Sequence, residues 1–169
     1  EIMNEADNLI NNGVKELTLL GQNVNAYKSN SKRISDIIYA LNEKKGIKRI
    51  RYTTSHPRDM TRDLIEAHVN CDKLMPFLHL PIQSGSDKIL KNMNRKHNLD
   101  KYLNIIYSLK NKNSKMQFGS DFIIGYPGES DKDFEETCKL MEDVKFIISY
   151  SYIFSPRPGT PAGEFKTID

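Results

Sequence analysis

The chain has 169 residues, of which 38% are hydrophobic and 28% charged, with a formal net charge of +3. That is enough to bury one core, and the charge is too mild to argue for nucleic acid by itself. No run of 18 apolar residues and no signal-peptide pattern is present, which excludes a membrane-spanning helix and a secretory start in this stretch. The two cysteines, Cys71 and Cys138, have no local partner. They suggest neither a C-x-x-C site nor a disulfide framework, and are expected to be buried free thiols in a reducing cytoplasm.

Ile2–Asn12 reads as a helix already under way, stopped by Gly13, so the sequence is expected to be a piece of a longer chain. Glu16–Leu20 is a short apolar strand. Ile34, Ile37, Ile38 and Leu41 recur at helical spacing with Gly46 as the stop, and Lys48–Thr53 is the next strand. Thr61 caps a helix whose apolar stripe is Leu64, Ile65 and Val69, and Phe77–Ile82 is a strand with prolines kept to its ends. A short helix from Ser86 or Asp87 and a longer one capped by Asn98 lead to a strand at Gln117–Ile124. Ser130 caps Asp131–Val144, and Ile147–Phe154 is the last strand. Strand and helix alternate with no hairpin signal, which implies crossovers and one parallel α/β domain over residues 1–169.

The strand ends carry the functional signal. Leu17–Leu20 runs into Gly21-Gln22-Asn23, Phe77–Ile82 into Gln83-Ser84-Gly85-Ser86, Phe122–Ile124 into Gly125-Tyr126-Pro127-Gly128-Glu129, and Tyr150–Phe154 into Ser155–Thr160. Ile50–Thr53 ends in Thr54-Ser55-His56-Pro57-Arg58, polar but without glycine. In a parallel α/β protein all strand carboxyl ends share one face, and glycine there lets backbone approach a ligand. Polarity at all five ends favours a barrel wall over a doubly wound sheet, which gathers its ligand groups at one switch point. The pattern points to one extended site for a polar organic ligand.

Neither phosphate-loop pattern nor a G-x-S-x-G elbow occurs. His56 and His79 fall near strand ends, where a site role is open to them. His68 and His97 are expected on helical surface, and no histidine has a second ligand at metal spacing. Asp121 lies inside an apolar strand and needs either a ligand or a paired partner. Lys91–Lys115 holds seven Lys/Arg against Asp100 alone, which reads as a solvated face or a phosphate footprint.

The motifs then carry a resemblance. Leu19-Leu20-Gly21-Gln22-Asn23-Val24-Asn25-Ala26-Tyr27, Arg51–Asp59 and His79-Leu80-Pro81-Ile82-Gln83-Ser84-Gly85-Ser86-Asp87 resemble the radical-SAM methylthiotransferases. So do Met93–His97, Ser120–Glu129 and Tyr152–Pro161, which extends the likeness along the whole sequence in order. The G-Q-N-V-N-A-Y and S-P-R-P-G-T-P segments are most similar to the branch that modifies N(6)-isopentenyladenosine in tRNA.

The resemblance implies a partial (β/α)6 barrel of the radical-SAM type, with the family's strands two to six present and strand one missing. It implies S-adenosylmethionine across the strand ends, held by Gly21, Gln22 and Asn23 at the methionyl amino group and by Gln83 and Ser84 near the ribose. Ile123, Ile124 and Gly125 border the adenine, and Ser155 closes the last strand; Asp121, from its place in the strand and not from the resemblance, is a candidate cofactor contact beside them. Family members use two [4Fe–4S] clusters; a 5′-deoxyadenosyl radical removes hydrogen from carbon 2 of the adenine beside the anticodon, and sulfur and methyl follow. Implied partners are the tRNA anticodon stem-loop, with Arg58, Arg95, Lys96 and Arg157 as phosphate contacts, and an electron donor such as flavodoxin or ferredoxin; no membrane is involved.

The family's C-x3-C-x2-C motif does not occur in this sequence, nor do the N-terminal methylthiotransferase domain and C-terminal TRAM domain. No metal ligand is therefore expected in this chain, and the chain alone is expected to be inactive. The alternatives are a methylthiotransferase for a ribosomal protein or for threonylcarbamoyladenosine tRNA, and a cluster-less binding remnant.

Overall fold

The structure, a computed structural model, describes residues 1–159 and 161–164; Thr160, part of the turn expected after the last strand, lies outside the described residues. Helix α1 (Ile2–Asn11) ends before Gly13, which takes the left-handed φ of 87° that closes helices of this kind. Strand β1 (Glu16–Leu19) follows. The chain then makes a 3-10 turn at Val24–Ala26 and an antiparallel hairpin, β2 (Lys28–Ser29) with β3 (Lys32–Arg33). This corrects the expectation of no hairpin. Its strands are two polar residues long and leave no alternation to read, while Asn30 and Ser31, at φ 46° and 65°, supply a type I′ turn.

Helix α2 (Ile34–Asn42), strand β4 (Arg49–Tyr52), helix α3 (Arg62–Asn70), strand β5 (Phe77–His79) and helices α4 (Asp87–Asn92) and α5 (Leu99–Lys112) come next. Strand β6 (Gln117–Ile124), helix α6 (Asp131–Val144) and strand β7 (Ile148–Ile153) complete the alternation. Asn98 caps α5 by accepting from Lys101 N. Ser130 caps α6 in a reciprocal box with Asp133.

Strand β1 pairs with β4, and β5 with β6 and β7, all in parallel; a parallel bridge between Ile50 and Leu74 joins the two groups. Order across the wall thus follows order along the chain. A doubly wound sheet must reverse direction at a switch point, and this one does not, so the wall is that of a partial barrel. The regular ladder of β5 stops at His79 because Pro81 has no N–H to donate. Pairing resumes where Gln83 N donates to Asp121 O at 3.0 Å and Ile123 N donates to Gln83 O at 2.9 Å.

The helices cover one face of this wall. Leu78, Phe118 and Phe122 are buried on that face, with Phe122 edge-on to Phe146 at 5.7 Å and Lys110 over the Phe118 ring at 5.8 Å. The Tyr102 hydroxyl donates to Leu80 O at 2.9 Å, tying α5 to the end of β5. Among the described residues no helix is long and apolar enough to cross a membrane. Cys71 is buried as expected, its thiol pushed up to about 11 by burial, whereas Cys138 is only half-buried.

Helix α3 turns a different stripe inward from the one expected. Leu64, Ala67 and His68 are buried while Val69 is 40% exposed, because positions i, i+3 and i+4 share a face. His68 and His97 were expected on the surface; both are buried, and His97 lies in the link between α4 and α5. The Tyr52 hydroxyl and His68 Nε2 share a hydrogen bond of 2.6 Å, and burial pushes the imidazole down to about 4.

The folded state therefore refuses a proton that the unfolded chain accepts from the ordinary value near 6.5 downward, so stability falls with pH and the loss is complete near 4. For His68 the shift from 6.5 to about 4 corresponds to about 3 kcal/mol. Urea unfolding at pH 7 and pH 4.5 should show this loss. His68→Gln, which keeps a hydrogen-bonding partner for Tyr52, should remove the His68 share of it and leave that of His97, which burial also pushes down to about 4.

Candidate functional site

The carboxyl ends of β1, β4, β5, β6 and β7 form one rim, and its turns are bonded to one another. Val24 N donates to Thr54 O at 3.0 Å, joining the β1 and β4 turns. Asn25, buried, fastens the same two turns: its Nδ2 donates to His56 O and its Oδ1 accepts from His56 N, each at 2.9 Å. A backbone turn presents one N–H and one C=O side by side, and only a primary amide can answer both.

Three successive strand ends take left-handed backbone: Thr54 at φ 63°, Gln83 at 85° and Gly125 at 72°. For β-branched Thr54 this costs on the order of 1–3 kcal/mol, a strain that collects where a chain must bend at a site. At Gly125 a side chain would meet no atom of the described residues within 4 Å, so among them the backbone faces open space. Gly85 serves packing instead: a Cβ there would lie 2.5 Å from Glu136 O, so only glycine lets the turn lie on α6.

Side chains alternate along β6, so with Phe118, Ser120 and Phe122 under the helices, Gly119, Asp121 and Ile123 face the barrel interior. Over Gly119 converge Phe77, His79 and Ile148, the nearest side-chain atoms to a Cβ built there. Above that apolar layer His79 Nε2 lies 3.1 Å from Asp121 Oδ1, and Tyr150 stands beside Asp121 in register. On the β1–β4 side the interior carries Glu16 with Arg49 and Arg51, the latter at 2.9 Å. These two arginines hold the Glu16 carboxyl below its ordinary value.

The expected site residues divide accordingly. Gly21 and Gln22 are exposed and Asn23 half-buried in the β1 turn. Asn23 Nδ2 donates to Asp59 Oδ2 at 2.7 Å, while Asn23 Oδ1 is buried without a donor among the described residues. Gln83 lies at the rim, and Asp121 and Ile123 face inward. Ser84 does not join them: fully buried, its hydroxyl accepts from Ser86 N at 3.1 Å and lies 3.4 Å from the Thr137 hydroxyl. Ile124 turns to the helix side. Ser155 is exposed after β7. Interior residues that sequence reasoning left out are Glu16, Arg49, Arg51, Tyr150 and Tyr152; the alternation of Tyr with Ser along β7 was the one available signal for the last two.

The loop after β6 is held by carboxylates. Glu129 Oε2 accepts from Gly125 N at 2.5 Å, and burial raises its proton affinity. Lys88 Nζ binds Gly128 O at 2.8 Å and Asp133 Oδ2 at 2.7 Å, and this ammonium, with Ser130 and Ser86, drives the Asp133 carboxyl far down. Among the cations, Arg58 pairs with Asp59 and Lys96 donates to Asn94 Oδ1 at 2.7 Å. Arg95 is half-buried near His56 and His97, whose rings meet edge-on at 5.3 Å, and Arg157 is exposed. Lys110, inside the basic stretch, donates to Val144 O at 2.7 Å at the end of α6. Among the described residues no three His, Cys, Asp or Glu side chains could hold a metal ion, so the residues present do not fit a cluster.

A groove of about 480 Å³ lies between α1, α2 and β1, lined largely by apolar residues such as Leu9, Leu17 and Ile37. It reaches the rim at Gly21 and Asn23 of the β1 turn, and away from that turn its apolar walls offer little to orient a polar ligand, whereas the rim offers acceptors, bare backbone and charge.

A family model described as the radical SAM superfamily matches residues 1–141. The chain is 53% identical to the tRNA-2-methylthio-N(6)-dimethylallyladenosine synthase of Pelagibacter ubique over 100% of its own length and 39% of that protein's. It is 54% identical to the enzyme of the same name from Ehrlichia chaffeensis over 97% of the chain and 38% of the relative. Coproporphyrinogen III oxidase of Escherichia coli, described as a radical SAM enzyme, superposes with a TM-score of 0.63 at 15% identity, over 90% of this chain and 35% of that one. Methylornithine synthase gives 0.63 at 16% identity, over 98% of this chain and 47% of that one. The chain thus spans well under half the length of the curated relatives it matches.

The Asn25 clasp yields a direct expectation. Asn25→Ala leaves the N–H and C=O of His56 without partners and should lower unfolding stability by about 2 kcal/mol in urea titrations. Asn25→Asp, which still accepts from His56 N but cannot donate to His56 O, should cost at least as much.

Proposed function

Because the chain belongs to the radical SAM superfamily, we propose that the protein carrying it is a tRNA methylthiotransferase acting on carbon 2 of N(6)-isopentenyladenosine next to the anticodon. The observation that carries this reading is the likeness to tRNA-2-methylthio-N(6)-dimethylallyladenosine synthases along the whole chain. The rim supports the cofactor part of it.

S-adenosylmethionine is a zwitterion, a diol and a purine, and each has a counterpart in the rim. The buried Oδ1 of Asn23 lacks a donor, which suits the methionyl ammonium, with Gly21 and Gln22 alongside. Gln83 and Asp121 suit the ribose hydroxyls. The backbone of Ile123, Ile124 and Gly125 suits an adenine edge, since none of the described residues stands over Gly125. Ser84 contributes by holding the Gln83 turn against α6, and Ser155 closes the rim after β7. Bound S-adenosylmethionine and two [4Fe–4S] clusters would supply the radical and sulfur chemistry, with the clusters' ligands outside this chain. This chain's own residues bind, orient and exclude water. Arg58, Arg95, Lys96 and Arg157 are the proposed RNA phosphate contacts, a flavodoxin or ferredoxin the electron donor, and the cytoplasm the setting.

Full-length protein with reductant should convert isopentenylated tRNA to its 2-methylthio form, detected by nucleoside mass spectrometry. Modification of a ribosomal-protein aspartate in its place would overturn the substrate assignment. Gly125→Val should abolish S-adenosylmethionine binding by calorimetry. Gly125→Asn tolerates the left-handed backbone yet still adds a side chain, and should also lose binding. Retained affinity in the Asn variant would remove the adenine edge from this position.

A further inference from the structure

The β2–β3 hairpin and the β4 turn flank an open cavity of about 230 Å³ on the rim, bordered by Lys28, Arg33, Arg58 and Asp59 as well as by Ala26, Tyr27 and Ile34. Lys28 and Arg33 are register partners, so their side chains leave the same face of the hairpin. Every residue from Lys28 to Arg33 is exposed and none is apolar, so the hairpin buries nothing of its own. It is held through the preceding 3-10 turn, which Asn25 and Val24 fasten to the β4 turn, and at its other end by Arg33 N, which donates to Asp36 Oδ2 at 2.7 Å at the start of α2. Such an element stabilises little and presents cations at the mouth of the barrel.

The neighbouring acids leave those cations available. Lys28 makes no ion pair among the described residues. Arg33 reaches Asp63 at 3.4 Å, but both side chains are close to half exposed, and such a contact is weak. Asp63 also takes the Ser35 hydroxyl at 2.5 Å.

Asp59 sits between the cavity and the β1 turn. Arg58 Nε and Nη2 reach its two oxygens at 3.0 Å each, and Asn23 Nδ2 donates to Oδ2 at 2.7 Å. A carboxylate only accepts, so the Asn23 NH2 must face it and the amide oxygen must point away. That oxygen is the buried acceptor without a donor. One carboxylate therefore sets the orientation of Asn23 and also holds a guanidinium that borders the cavity.

We propose that this cavity takes a phosphodiester of the RNA substrate, and that Asp59 is a positioning residue that couples its occupancy to the cofactor turn; this rests on the function proposed above. A phosphate engages the remaining N–H donors of Arg58 together with Lys28 and Arg33 and draws the guanidinium from Asp59. The carboxylate then rests more heavily on Asn23 and fixes its amide. RNA tightens cofactor binding by this route, and by linkage the cofactor tightens RNA binding by the same factor.

The test uses the full-length protein, an isopentenylated anticodon stem-loop RNA and S-adenosylmethionine. Lys28→Gln, at an exposed position of the hairpin, should reduce the slope of log K for RNA against log salt by about one, and Lys28→Gln with Arg58→Gln by about two. Lys112→Gln, at the far end of α5, should leave the slope unchanged. In the wild type RNA should lower the cofactor Kd about tenfold. Asp59→Asn should weaken cofactor binding and abolish that tightening while the thermal midpoint stays near wild type. An unchanged slope in both cavity variants overturns the phosphate site. RNA-induced tightening that survives Asp59→Asn overturns the coupling. Wild-type protein that fails to bind the RNA overturns the RNA-modifying reading itself, a different result from wild-type binding with indifferent variants.

Discussion

Two parallel strands cannot be joined by a tight turn, so each of the first four barrel strands must hand the chain to a crossover before the next begins. In a wall whose spatial order follows its sequence order, that constraint sends every outgoing turn to the same rim. Rim backbone has no further strand to pair with, so its N–H and C=O groups need other partners. The Asn25 amide supplies two of them by answering both polar groups of His56, and the left-handed turn at Thr54 accepts Val24 N. The site is therefore a consequence of how the wall ends, and its shape is fixed by groups that satisfy one another before any ligand arrives.

Interior and exterior of the wall follow from the period of two along each strand. On β6 the odd-numbered residues face inward and the even-numbered ones meet the helices, which separates Asp121 and Ile123 from Ile124. The interior is layered: Phe77, Gly119 and Ile148 form an apolar floor, and His79 with Asp121 lies above it, closer to the rim. Gly119 is required there because three side chains already occupy the space that its own would fill. An acid inside an apolar strand is tolerated because it has both a partner and access to the open side.

Much of this was legible in the sequence because the local signals agree with the fold. The capping box at Ser130 and the β-rich run before Gly125 place α6 and β6 at their observed bounds. Where local signals are silent or divided, sequence reasoning fails for physical reasons. The hairpin has too few residues to show a period. His68 counts as polar in any hydrophobic stripe, yet a neutral imidazole bonded to Tyr52 is a core side chain. Ser84 follows Gln83 directly, and Pro81 has already broken the ladder that would assign the two to opposite faces; only Thr137 on α6, distant in sequence, decides that Ser84 turns away.

The same distance in sequence hides the carboxylate most central to the rim. Asp59 lies 36 residues from Asn23, in a turn that is polar throughout, and nothing local distinguishes it from the other acids. Its partners set it apart, and the Arg58 guanidinium first, then Asn23, hold its carboxyl below the ordinary value despite partial burial. A carboxylate kept ionised in this way can only accept, and that single restriction propagates: it orients an amide in one turn and a guanidinium in another. Two polar groups on different strand ends thus share one electrostatic anchor, and neither can be reoriented without changing what the anchor offers to the other.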